Sequence, residues 1–122
     1  MMKDAGWIRL YTLENRNAAA SGKMPDFRLV PVNRNKYYFE ERVIGMTRQY
    51  AAKGANEQVD LIARIWREPA ARIEMYAIVG QSDGHDGQYR IRNVQNLYDE
   101  DNLKVTDLTL ERTDKFYDIA AD

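Results

Sequence analysis

Apolar residues recur at every second position in four stretches of the second half of the chain, 58–67, 73–79, 88–94 and 106–111. A period of two belongs to a strand with one face against a core and the other toward solvent. In the first stretch Val59, Leu61, Ala63 and Ile65 alternate with Asp60, Ile62, Arg64 and Trp66. In the second, Ile73, Met75, Ala77 and Val79 alternate with Glu74, Tyr76 and Ile78. Glu68 and Pro69 stop the first run, the glycine- and aspartate-rich segment 80–87 stops the second, and acidic residues 98–102 separate the last two. The spacing predicts an antiparallel meander around one small core.

The first half is less regular. Trp7, Arg9, Tyr11 and Leu13 alternate with Ile8, Leu10 and Thr12, which predicts an opening strand. The small and polar residues of 14–25 predict a mobile connection, a long hairpin tip or an arm. A strand resumes at 27–32, and Pro31 places it at a sheet edge or at its own end, because proline cannot donate to a ladder. Segment 33–50 reads two ways. Asn33 or Asn35 can cap a short helix that carries Tyr37, Tyr38 and Glu41 and turns Val43 and Ile44 inward; the same residues satisfy a strand. Glu40, Glu41 and Arg42 are too polar for a central strand, so one or two helical turns followed by a strand is the expectation. Residues 50–57 read as a second mobile loop, and 112–122 are polar enough to fray. The expected fold is mainly β, a small antiparallel β barrel or sandwich with one short helix, in a single domain over 1–122.

Composition narrows the function classes. A chain of 122 residues can bury one real core but not two. No apolar run approaches the roughly 20 residues that span a bilayer, so no membrane contact is expected. Asp4, Gly6 and Arg9 interrupt the apolar stretch that a secretory signal needs, and the expected compartment is the cytosol, with which the absence of cysteine is compatible. The 18 basic and 19 acidic residues nearly cancel, whereas a protein that grips DNA phosphates carries a basic surplus. Tight general DNA binding is therefore disfavoured. Arg90 and Arg92 would share a strand face, read as solvated and balanced by Asp99, Glu100 and Asp101.

Candidate chemistry is sparse. Asp83, His85 and Asp86 cluster, but with one histidine and no cysteine in the chain they read as a solvated hairpin tip, and no metal is expected. Residues 98–102 have the charge density of a calcium loop without its turn glycine or its terminal glutamate. Glu40 and Glu41 beside Tyr37 and Tyr38 would serve as an acid and base only in a pocket that shifts their pKa values, and the sequence shows none. No catalytic residue and no cofactor are expected, and the protein is not read as an enzyme. Eight tyrosines and two tryptophans carry more information. Some must be partly exposed, and aromatic rings with one polar end are enriched at protein interfaces. Trp7, Tyr11, Tyr37, Tyr38 and Tyr50 are the candidate interface residues; core packing is the alternative for Trp7, Tyr11 and Tyr50.

An ordered series of pieces carries a family resemblance: Leu29-Val30-Pro31-Val32, then Tyr37-Tyr38-Phe39-Glu40-Glu41-Arg42, Val43-Ile44-Gly45, Arg48-Gln49-Tyr50, Val59-Asp60, Ile62-Ala63-Arg64-Ile65, Gln88-Tyr89-Arg90-Ile91 with Val94-Gln95, and Thr106-Asp107-Leu108-Thr109-Leu110. Together these cover about two thirds of the chain, and in this order it resembles the bacteriophage head-closure proteins, also called head-completion, stopper or head-tail joining proteins. The resemblance implies a homo-oligomeric ring in the assembled particle; whether the isolated subunit is a monomer is left open by the sequence. The ring would sit in the virion neck between the portal-side adaptor and the tail proteins, after assembly in the host cytoplasm, with transient non-specific contact to passing double-stranded DNA. Gln49, Lys53, Gly54 and Asn56 are the candidate channel or partner loop. The competing readings are a tail-completion or tail-terminator component and a small nucleic-acid-binding β barrel.

Overall fold

The computed structural model describes residues 5–17, 22, 24–42, 60–82 and 84–120. Among them nine strands run in chain order: β1 (Trp7–Asn15), β2 (Phe27–Pro31), β3 (Tyr37–Tyr38), β4 (Glu40–Arg42), β5 (Leu61–Trp66), β6 (Tyr76–Gly80), β7 (Gly87–Tyr98), β8 (Lys104–Arg112) and β9 (Asp118–Ile119). They form one sheet in the order β4-β5-β8-β7-β6-β1-β2-β9, with β3 on β1. Every pairing is antiparallel except that of β2 with β9. Of the meander expected from the second half, β6, β7 and β8 are consecutive neighbours, but β5 pairs with β8 and not with β6, so the chain crosses over between β5 and β6 and the meander covers three strands only. β2 ends on Pro31 as its missing donor requires.

The sheet curls into a half-barrel, and a single six-residue segment bridges its open side. Tyr37 and Tyr38 pair with Ile8 and Trp7 of β1. One residue later, Glu40, Glu41 and Arg42 pair with Arg64, Ala63 and Ile62 of β5. Phe39, between the two ladders, donates its N–H to the Gly6 carbonyl at 3.2 Å and accepts from Ala5 N–H at 3.1 Å. Its ring is fully buried with Ile8, Leu10, Leu61, Ile65, Tyr89, Ile91, Leu108 and Leu110 in the concave core. This corrects the helix expected after Asn33: no helix is present among the described residues. Tyr37 and Phe39 face the core while Tyr38 is exposed, a period of two that pairing with β1 and β5 selects over the local helical option. The part of that expectation on 43–50 lies outside the described residues.

Ile73 also departs from its expected place. It stands 53% exposed in a turn, because Glu74 adopts φ 75 and breaks the alternation before β6 begins at Tyr76. Met75, Ala77 and Val79 enter the core as their spacing predicts. Arg90 pairs with Glu74 rather than with the acids of 98–102, and a bulge between Ile91 and Asn93 interrupts its strand. Asp99 instead closes its own turn, its Oδ1 accepting from Asp101 and Leu103 N–H at 2.9 Å each. Those backbone donors hold its carboxyl below the usual range.

Two further contacts organise the convex face. Arg64 and Asp107, partners across β5 and β8, form a buried two-point ion pair, Nε to Oδ1 at 2.7 Å and Nη2 to Oδ2 at 3.0 Å. The hydrogen bond from Asp107 raises the Arg64 pKa above its ordinary value. Elsewhere Tyr11, Leu29 and Tyr76 make a second small cluster, joined by Tyr117. The Tyr117 ring meets Tyr76 edge-on at 5.6 Å, and the buried Gln88 side chain donates to Tyr117 carbonyl and accepts from its N–H. Polar as it is, residues 113–120 are thereby laid along the sheet and end as β9 on β2. At the other end of the chain, Asn15 Oδ1 accepts from Asn17 and Asp26 N–H and closes the mouth of the first hairpin.

Two stability outcomes follow from this packing. Phe39→Ala removes a fully buried ring from the bridging segment and should cost about 3 to 5 kcal/mol in urea unfolding. Asp107→Ala strands a buried guanidinium and should also cost about 3 to 5 kcal/mol, while the double change Arg64→Met with Asp107→Leu should recover most of that loss. Equal losses in the single and double variants would show that the pair contributes net stability.

Candidate functional site

After Pro31 the chain turns through Val32, Asn33, Arg34, Asn35 and Lys36. Asn33 shapes this turn: its Oδ1 accepts from Asn35 N–H at 2.9 Å and its Nδ2 donates to Tyr37 Oη at 2.8 Å. Tyr37 Oη in turn donates to Glu68 Oε1, and Glu68 N–H donates to Thr106 Oγ1 at 3.1 Å. The hydroxyl of Tyr37 is thereby tied to the far side of the bridge, while its ring packs on the core.

Tyr38 points the opposite way and is 55% exposed; Trp66, at the end of β5, is 47% exposed. Stepping two residues from the Glu40–Arg64 pair along each strand brings Tyr38 across from Trp66. Together with Lys36 and Tyr37 they line an open groove of about 400 Å³. Trp7, the direct partner of Tyr38, lies beside it under Lys36, whose Nζ stands 4.6 Å from the indole centroid. Trp7 can lie flat there because Gly80 has no side chain: a Cβ on Gly80 would fall 2.2 Å from the indole. Lys36, which lines the groove, is exposed and has no acidic partner among the described residues. The arrangement can hold an apolar or aromatic group beside the Lys36 ammonium.

The sequence candidates separate accordingly. Trp7, Tyr37 and Tyr38 come together. Tyr11 does not join them: it is 3% exposed, packed with Leu29 and Tyr76 under the Arg9 guanidinium. Gln49, Tyr50, Lys53, Gly54 and Asn56 lie outside the described residues. Glu40 and Glu41, as neighbours on a strand, point to opposite faces; Glu40 meets Arg42 at 3.3 Å and Glu41 meets His85 Nε2 at 3.2 Å. Trp66 and Lys36 were not singled out by sequence, although Trp66 stands in the solvent phase of the clearest alternation in the chain, where a tryptophan is out of place.

Besides Phe27 and Tyr98, a further exposed aromatic side chain belongs to 113–117. Thr113 N–H donates to Gln88 carbonyl at 3.1 Å and Tyr117 is clamped by the Gln88 side chain. Between these two anchors Phe116 is 82% exposed, with Asp114 and Lys115 before it.

Burial and the Glu68 carboxylate both raise the Tyr37 pKa above that of a free phenol, and burial raises those of Tyr76 and Tyr89. A raised phenol pKa favours the neutral, folded form. The stability it contributes is present below pH 10 and lost as pH rises through the folded value. In an ultraviolet titration of the native protein these three phenols should ionise last, together with loss of structure, and Tyr37→Phe should remove one of the late phenols.

Comparison of the chain with known protein families, with characterised proteins and with solved structures finds no match.

Proposed function

We propose that this protein is a structural subunit of a phage or prophage head-tail connector, forming a ring between the portal-side adaptor and the tail. The ring closes the DNA-filled capsid and offers the tail its attachment site. The observation that carries the reading is the pair of unlike exposed features on one rigid sheet: an aromatic groove at Tyr38 and Trp66, and a projecting Phe116. A ring built by rotation needs two different, complementary surfaces on each subunit. The ordered resemblance to head-closure proteins adds to this, as does a formal charge of −1, because a conduit must release the DNA that passes through it. In this reading the barrel-like curl is the wall of the ring, and the working location is the virion neck.

A second reading rests on Lys36 beside Tyr38 and Trp66, a combination of cation and rings that also suits a stacking platform for single-stranded nucleic acid. A tail-completion role would use the same surfaces one level lower in the particle.

The test is addition of the purified protein to DNA-filled, tailless capsids that carry the adaptor, with DNA leakage as the readout. Saturable binding that stops leakage is the expected result. Attachment to purified tails without any effect on leakage would move the protein below the neck. Salt-sensitive retention of single-stranded DNA, with no particle binding, would favour the platform.

A further inference from the structure

We infer that Phe116 of one subunit docks into the groove formed by Lys36, Tyr37, Tyr38 and Trp66 of a second copy of this chain. This names the subunit contact that the connector reading leaves open and rests on that reading for its closure into a ring.

Three observations point to this occupant. The first is shape. An open groove of about 400 Å³, bordered by two half-exposed rings, accepts a single aromatic side chain, and Phe116 is the most exposed aromatic residue among those described. It does not wave on a loose loop: Gln88 fixes the backbone on both sides through Thr113 and Tyr117. A rigid, pre-positioned aromatic anchor entering an aromatic pocket is the usual form of a dominant interface residue, because little ordering entropy is lost on docking.

The second is charge. The groove is lined by Lys36, which is exposed and without an acidic partner among the described residues. Phe116 is preceded by Asp114 and followed by Asp118, whose contact within the subunit is Arg16 Nη2 at 3.4 Å. The Lys36 ammonium at the hole faces a knob segment that carries Asp114 and Asp118 against Lys115, a net negative charge that favours this orientation of the pair.

The third is topology. The groove is built on β3 and β5, whereas Phe116 leads into β9, and β5 and β9 lie toward opposite ends of the sheet order. A contact between unlike surfaces on two copies is heterologous, and such contacts build a ring where the rotation between neighbours closes.

The absence of cysteine from the chain makes the contact directly testable. Single-cysteine variants Asn35→Cys and Lys115→Cys place thiols beside the groove and beside Phe116 without removing either anchor. Mixed at high concentration with a short bis-maleimide, the two should form a heterodimer well above the yield of either alone and of a control pair that carries Glu100→Cys in place of Lys115→Cys. Phe116→Ala in the Lys115→Cys chain should lower that yield about tenfold. Lys36→Glu in the Asn35→Cys chain should lower it severalfold, and Asp114→Lys in the partner should restore it. These positions are exposed, and matching circular dichroism spectra should show that the variants fold. Equal yields for the test and control pairs, or no effect of Phe116→Ala in folded protein, would overturn the inference. The outcomes separate it from the connector reading. Specific cross-links in a protein that fails to seal capsids sink the connector alone, and sealing by a protein whose cross-links are unspecific sinks this contact alone.

Discussion

The segment 37–42 is the constraint on which the rest of the structure depends. Without it, β1 and β5 would each expose an unpaired length of ladder, and the curled sheet would have an open seam over its own core. The segment closes that seam with two short ladders and one residue between them, so the position of Phe39 is fixed by hydrogen bonds from two directions as well as by burial. The hydrogen bond from Tyr37 to Glu68, and from Glu68 to Thr106, ties the same segment to β8. A small sheet that curls into a half-barrel, with its open side bridged by this segment, encloses its core more fully than a flat sheet of this size could.

The outer surface follows from that closure. With Tyr37 and Phe39 turned inward, the alternation obliges Tyr38 to face out beside Trp7 on one strand and Trp66 on another. The groove is therefore a by-product of the bridge, and its geometry is as rigid as the bridge itself. On the same outer face the sheet tolerates charge in two different ways. Arg64 and Asp107 are buried and satisfy each other in a forked pair, whereas Lys36 is exposed above the Trp7 ring. The first arrangement holds strands together. The second leaves charge available to another molecule.

The regular part of the fold was legible because period-two alternation reports directly which face of a strand is buried. β5, β7 and β8 fall where Leu61, Ala63, Ile65, Tyr89, Ile91, Leu108 and Leu110 placed them, and Pro31 marked the end of β2. Local propensity failed where pairing at a distance decided the outcome. Nothing in the local sequence of 33–42 says that β1 and β5 wait on either side of it. Ile73 was misplaced because a non-glycine residue with positive φ, Glu74, leaves no mark in an alternation pattern. Tyr11 sits in a second cluster that exists only because Leu29, Tyr76 and Tyr117 converge from three other parts of the chain.

The sequence by itself determined the class of the protein: a mainly β chain whose alternating strands share one core, with near-neutral charge and more aromatic side chains than such a core needs. These are properties of single residues and their near neighbours, which is what periodicity and composition measure. Tertiary structure decided which of the aromatic residues are buried, which strands meet, and that Lys36, Tyr38 and Trp66 form one surface while Phe116 forms another. Those outcomes depend on contacts between residues roughly 30 or more positions apart, whose closure is settled by the fit of the whole sheet and not by any local preference.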